Sequence, residues 1–211
     1  MNIPYKDDFL IELCKNKKVL DIGAVDSPYH LEKLNKGILL YQKLQNVCKQ
    51  LIGIDIDKNA IKTLRERNIR NIFYGDIERG VYSVKINKKY DYIILGDVLE
   101  HLANPGTALK NIKKLMRKNT RLIVTVPNNF SYINIKAFLT GIEKVHPDHK
   151  FWPSVKTMCR LFDSIGFKID KFFYCFWGSK KNARLLSKIV YIIFFKRLRH
   201  LLPCILFILR K

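Results

Sequence analysis

The chain has 211 residues, 48% hydrophobic and 27% charged, which suits one domain with a sizeable core and excludes a disordered or fibrous protein. Lys and Arg number 39 against 18 Asp and Glu, and the formal net charge of +21 attracts polyanions: nucleic acid, anionic lipid or phosphorylated substrates. Five cysteines, odd in number and without a Cys-x-x-Cys pair, exclude a zinc ribbon and read as free thiols in a reducing compartment.

The first residues lack a basic flank followed by an apolar core, so no secretory signal is expected and the expected location is cytoplasmic. Residues near 5–15 read as a short helix. A buried strand follows over about Lys18 to Ile22, ending in the glycine turn Asp21-Ile22-Gly23-Ala24. Leu31, Leu34, Ile38, Leu39, Tyr41 and Leu44 predict one helical stretch over much of His30 to Lys49. A second strand near 51–56 ends at Asp55, and Asp57 is placed as the N-cap of a helix through Ala60, Ile61 and Leu64.

The third strand, near 71–75, leads into Asp76; the fourth, near 90–95, leads into Gly96-Asp97. After Asn104-Pro105-Gly106, Leu109, Ile112, Leu115 and Met116 mark the buried stripe of a helix. A fifth strand spans Arg121 to Val126, and residues 130–153 form an aromatic-rich excursion. A helix then runs from about Ser154 to Ser164 with Gly166 as its stop. Phe167 to Trp177 and Pro203 to Leu209 read as the remaining strands. Strands alternating with helices predict an α/β fold, with a mostly parallel sheet covered on both faces.

Consecutive parallel strands place their C-terminal ends along one edge, where open α/β sheets bind ligands. Three of these ends carry Asp, and the fourth opens the segment GDVLEHLANPG; later come VPNNFSYIN and HPDHKFWP. In order, spacing and residue type the chain resembles the class I S-adenosylmethionine-dependent methyltransferases over roughly residues 17 to 175. The resemblance implies a Rossmann-like sheet of seven strands with the last antiparallel, one domain over residues 1–211, and S-adenosylmethionine as cofactor.

It also implies roles for single residues. Gly23 allows a tight turn beside the ligand, with Ala24 next to it. The family usually shows Gly-x-Gly here, whereas Val25 and Ser27 stand at the second and third glycine places. Those absences argue against a dinucleotide oxidoreductase, whose glycines admit a pyrophosphate. Asp55 is expected to accept from the ribose hydroxyls, Ile56 to pack on adenine, and Asp76 with Ile77 to meet the adenine amino edge. Gly96 and Asp97 would lie under the methionine portion. Asp21 would hold the loop amides or face the ammonium group.

Displacement at a sulfonium has a neutral leaving group, so positioning does most of the work, and a base helps a hydroxyl acceptor. His101, His146 and His149 all fall at the C-terminal edge and are the candidate bases. His146-x-x-His149 offers two ligands, too few to assert a metal, and none is expected. With no Asn/Asp-Pro-Pro-Tyr/Phe after the fourth strand and no cysteine after the fourth or fifth, amino-group and covalent pyrimidine chemistry are disfavoured. The expected acceptor is a hydroxyl or carboxylate on a small molecule, glycan or lipid-linked intermediate. An RNA methyltransferase or binder, and a non-catalytic protein retaining the fold, stand as alternatives.

No acidic residue follows Asp170, and residues 180–211 form a basic, apolar segment. Its apolar runs fall short of the ~18 residues that span a bilayer. Two expectations coexist: a closing strand from Pro203, and a basic interfacial helix before it, meeting an anionic membrane from the inner face. Nucleic acid is the less favoured partner.

Overall fold

A computed structural model of the chain describes residues 5–86, 89–182 and 198–211. Among them the elements run α1 (Lys6–Cys14), β1 (Lys18–Ile22), α2 (His30–Asn35), α3 (Leu40–Gln45), β2 (Gln50–Asp55), α4 (Lys58–Glu66), β3 (Ile72–Asp76) and β4 (Val81–Tyr82). There follow β5 (Tyr92–Gly96), α5 (Pro105–Leu115), β6 (Arg121–Pro127), α6 (Tyr132–Leu139), α7 (Val155–Ser164), β7 (Lys168–Cys175) and β8 (Cys204–Arg210).

One sheet takes the order β4-β3-β2-β1-β5-β6-β8-β7. Strands β3, β2, β1, β5 and β6 are parallel neighbours. β8 enters antiparallel between β6 and β7, so the last strand is interior rather than at the edge. Its apolar sequence fits that place, and Cys204 to Phe207 are buried. At the far end, Asp170 of β7 receives Arg121 of β6 at 2.6 Å and Arg210 of β8 at 3.0 Å, tying three strands together. The two-residue β4 pairs antiparallel with β3 and adds an eighth strand to the expected seven; a run that short carries no legible periodicity.

Strand alternation feeds two cores. Leu20, Ile93, Leu95, Leu122 and Val124 face α5 and α7, meeting Leu109, Ile112 and Phe162. Val19, Ile94, Ile123 and Leu206 face the other way, against Leu10 of α1, Leu44 of α3 and Leu64 of α4. Burying both faces is what a parallel sheet requires.

The single helix expected over His30 to Lys49 is two helices. Gly37, at φ +64°, closes α2 in a Schellman turn, with Ile38 N donating to Lys33 O at 2.8 Å and Gly37 N to Leu34 O at 2.9 Å. Helix α6 lies inside the aromatic-rich excursion, and Ser131 caps it by accepting from Asn134 N. Asp57 caps α4 as expected, accepting from Ala60 N at 2.9 Å, and Ser154 with Thr157 forms a capping box on α7. No helix among the described residues is long and apolar enough to cross a membrane. Most of the expected interfacial helix before Pro203 lies outside the described residues, and 204–210, at the end of the basic segment, form β8.

Candidate functional site

Order along the sheet reverses between β1 and β5, and a crevice opens there above their C-terminal ends. The register brings these ends level, Ile22 beside both Ile54 and Leu95. A cavity of about 1100 Å³ occupies this edge. Asp21, Gly23, Ala24, Asp55, Ile56, Asp76, Ile77, Gly96 and Asp97 all line it, together with His101 and His146.

Gly23 leaves β1 at φ +80°, and a Cβ there would stand 2.2 Å from Val98 Cγ2. Neither the backbone nor the space admits a side chain. The loop it starts is held by two carboxylates on β2 and its cap: Val25 N donates to Asp55 Oδ2 at 2.9 Å, and Ser27 Oγ to Asp57 Oδ2 at 2.8 Å. The backbone amide expected to be within reach of Asp21 thus goes to Asp55. Val25 is fully buried in the core around α3 and α4, turned away from the cavity, so a side chain at that glycine place does not block it.

The cavity is acidic, although the chain is strongly basic. Asp21 is buried at the end of β1; burial, with the charges of Asp55 and Asp26, pushes its carboxyl up to about 7 against the opposing pull of Lys6. Burial also raises Asp55, opposed by hydrogen bonds from the amides of Asp57, Val25 and Ile56. Asp76 is buried and its Oδ1 accepts from Glu78 N at 2.9 Å and Arg79 N at 3.0 Å, fixing the turn that presents Ile77. Ile56 is 62% exposed on the cavity wall, an apolar surface without a cover.

In the floor of the cavity Asp97 meets a cation that no local pattern marks. Lys6 of α1 is ion-paired with Asp97, whose Oδ1 also accepts from Thr125 Oγ1 at 2.8 Å. Burial works against both charges, but the partner and neighbouring groups together outweigh it: Lys6 is held well above the usual lysine range and Asp97 below the usual carboxylate range. Lys43 bridges Asp7 at 3.1 Å and Ser179 Oγ at 3.2 Å beside them. Partners so far apart in the chain leave no local signal. Glu100 was also missed: it is 1% exposed, and burial followed by the Asp97 charge raises its carboxyl well above the ordinary value.

His101 ends a 3₁₀ turn, Leu99–His101, just after β5, while His146 and His149 lie in the loop between α6 and α7. That loop is stitched to the turn by Lys150 N donating to Glu100 O at 2.8 Å, and folds on itself through His149 N to His146 O at 3.0 Å. The imidazole centroids lie 4.7 Å apart for His101–His149, 5.6 Å for His101–His146 and 5.2 Å for His146–His149. Burial first, then the neighbouring imidazoles, lowers His101 and His149 below the ordinary histidine value. All three candidate bases are therefore brought together, His101 and His146 on the cavity wall and His149 packed against them.

A family model described as a methyltransferase domain matches residues 6–171. Among curated proteins, the chain is 21% identical over 196 residues to ubiquinone biosynthesis O-methyltransferase of Aeromonas salmonicida, covering 87% of this chain and 78% of that protein. It is 31% identical over 103 residues to tRNA U34 carboxymethyltransferase of Nautilia profundicola, covering 47% of this chain and 30% of that one. Among solved structures, a SAM-dependent methyltransferase from Archaeoglobus fulgidus aligns with a TM-score of 0.59 at 18% identity, covering 98% of this chain and 95% of that chain. One from Aquifex aeolicus aligns with a TM-score of 0.59 at 11% identity, over 97% and 89%. Identities this low speak to the fold alone.

Proposed function

Because the chain belongs to the methyltransferase-domain family and is an S-adenosylmethionine-dependent methyltransferase, we propose that it methylates a hydroxyl oxygen of a small-molecule, glycan or lipid-linked acceptor. The observation that carries this reading is an acidic cavity at the sheet's switch point, with His101 and His146 on its wall and His149 against them. Residues 1–211 are read as one such domain.

S-adenosylmethionine, when bound, supplies an electrophilic methyl on a sulfonium beside an ammonium and a ribose. The residues fit such a group: carboxylates gathered on one wall suit cations and ribose hydroxyls, and exposed Ile56 suits an adenine face. In this reading Asp55 accepts from the ribose, and Asp76 and Ile77 border the adenine. Gly23 and Ala24 let the backbone close on the ligand, while Asp21, Gly96 and Asp97 form the floor under its charged end. His101 and His146, with His149 beside them, stand on the side of the cavity where the acceptor hydroxyl loses its proton. The relatives named O-methyltransferases support oxygen as the acceptor atom.

The non-catalytic alternative rested on Val25 and Ser27 replacing glycines. Val25 is buried away from the cavity, which removes that ground at the second glycine place, while Ser27 stays on the cavity wall. RNA as acceptor is the second reading, favoured by the charge of +21 and by the relative named for tRNA. Association with an anionic membrane through the basic segment from 180 is read as a further property. With 204–210 taken up by β8, it rests on residues before Pro203.

The test is transfer of labelled methyl from S-adenosylmethionine into a fractionated cell extract. Label in an alkali-stable ether of a small molecule or lipid-linked glycan is expected. Label confined to RNA, with binding that falls steeply as salt rises, would replace this reading with the second one.

A further inference from the structure

We propose that His101, His146 and His149 bind a divalent first-row transition cation, zinc by preference, leaving one coordination position open to the cavity for the acceptor oxygen. The part played by that oxygen rests on the reading of the chain as an O-methyltransferase; the cation site itself does not.

Each of the three residues offers one ring nitrogen, and these atoms all lie within 4.8 Å of one another. A tetrahedral zinc with bonds of about 2.0–2.1 Å holds its nitrogens about 3.4 Å apart, so small ring rotations close the set. The rings come from two segments that the backbone clamps together through Lys150 N and Glu100 O. His101 meets both partners edge to face, at 79°. Three partly buried imidazoles sharing one small volume repel each other when charged. As neutral rings they present lone pairs that a cation satisfies at once.

The surroundings supply the outer support that metal-bound histidines use. Asp148 Oδ2 lies 3.7 Å from His146 Nδ1. With the cation on Nε2 of His146, Nδ1 carries the proton and this carboxylate becomes its acceptor. The long 3.3 Å contact from Asp148 N to Nδ1 is then given up.

The donor set selects the ion. Neutral imidazoles suit zinc, iron and nickel, whereas magnesium and calcium take oxygen ligands. Three protein ligands with a fourth position open is the arrangement of catalytic rather than structural zinc. That position faces the cavity, because His101, His146 and Asp148 are on its wall. There the cation lowers the pKa of a bound hydroxyl, as it does for bound water. The hydroxyl proton leaves to water, an oxygen lone pair forms the O–CH₃ bond, and the breaking C–S pair returns to sulfur. The products are a methyl ether, a neutral thioether and one proton.

Chelator-stripped full-length protein, titrated with Zn²⁺ and with Co²⁺, tests the site by calorimetry and by visible absorption of the cobalt form. One ion per chain and a cobalt spectrum of four- or five-coordination with nitrogen ligands are expected. Both should be lost in the His146→Ala/His149→Ala double variant, with its circular dichroism and S-adenosylmethionine affinity kept. Asp148→Asn should weaken the ion by about 10–100-fold. Absence of a stoichiometric ion in the parent protein, or undiminished binding in the double variant, overturns the site. Label found on nitrogen or carbon of the product, with ion binding intact, overturns the O-methyl reading and leaves the site standing.

Discussion

The Lys6 ammonium is ion-paired with the Asp97 carboxylate, joining the first turn of α1 to the end of β5 beneath the cavity. Side-chain exposures of 14% and 31% make this a largely desolvated pair, in which each charge depends on the other. Lys6→Met should lower stability to urea by roughly 2–3 kcal/mol, less than a fully buried pair would lose because solvent reaches Asp97. A change under about 0.5 kcal/mol would mean that the pair is screened and structurally idle.

Asp55 has two duties, and substitution should separate them. Its carboxylate holds Val25 N and Asp57 N, and faces the cavity. Asp55→Ala should cost about 1–2 kcal/mol of stability and weaken S-adenosylmethionine binding by about 1.5–3 kcal/mol. Asp55→Asn, which keeps one acceptor, should recover part of the first loss and less of the second. Wild-type cofactor affinity in a folded Asp55→Ala protein would remove it from the site.

Asp21 gives the stability profile a pH dependence. Its carboxyl, pushed up to about 7 in the folded chain, titrates near 3.9 when unfolded. Between these values the folded state keeps a proton that the unfolded state has lost. Its contribution is therefore whole below about pH 4 and is lost as pH rises through about 7, a change on the order of 4 kcal/mol. Affinity for the cationic cofactor should rise over the same upper range, as the carboxylate appears. Urea melts and calorimetry from about pH 5 to 8 read both trends, and identical slopes in Asp21→Asn would acquit this residue.

Gly23→Ala meets two obstacles, the +80° φ and Val98 Cγ2 at 2.2 Å. A loss of about 2–4 kcal/mol is expected from the left-handed backbone plus overpacking. Adding Val98→Ala should relieve the contact and leave the backbone cost of about 1–2 kcal/mol. Full recovery in the double variant would show that only the contact matters.

For the basic segment, vesicles containing anionic lipid should bind the protein at low salt and release it as salt rises, at about 1 kcal/mol per engaged Lys or Arg. Replacing Lys196, Arg197 and Arg199 with Gln should abolish this without changing cofactor affinity. Lys196 and Arg197 lie outside the described residues, so the charge pattern of the sequence alone carries this expectation. Failure to bind any vesicle at any salt would leave the segment with no membrane role.

What the sequence determined by itself were the features written in short spacing. Strand ends, the Asp57 cap and the Gly166 stop lie in local pattern, because a period of two, a side-chain cap or a glycine acts within a few residues. The residues expected to hold the cofactor line one cavity for a related reason: parallel strands bring their C-terminal ends to one edge whatever the details. Local pattern misled where a single glycine decided, as at Gly37, which divides one apolar stripe into α2 and α3. Only the tertiary structure decided which side chains meet from far apart in the chain. Lys6 finds Asp97, Asp55 takes the Val25 amide, and His101 joins His146 and His149 through the Lys150–Glu100 backbone bond. Such meetings depend on how the sheet orders its strands and how loops fold over its edge. Desolvation and charge interaction are set by that three-dimensional neighbourhood, and they give Asp21, Glu100, His101 and His149 their altered acidity.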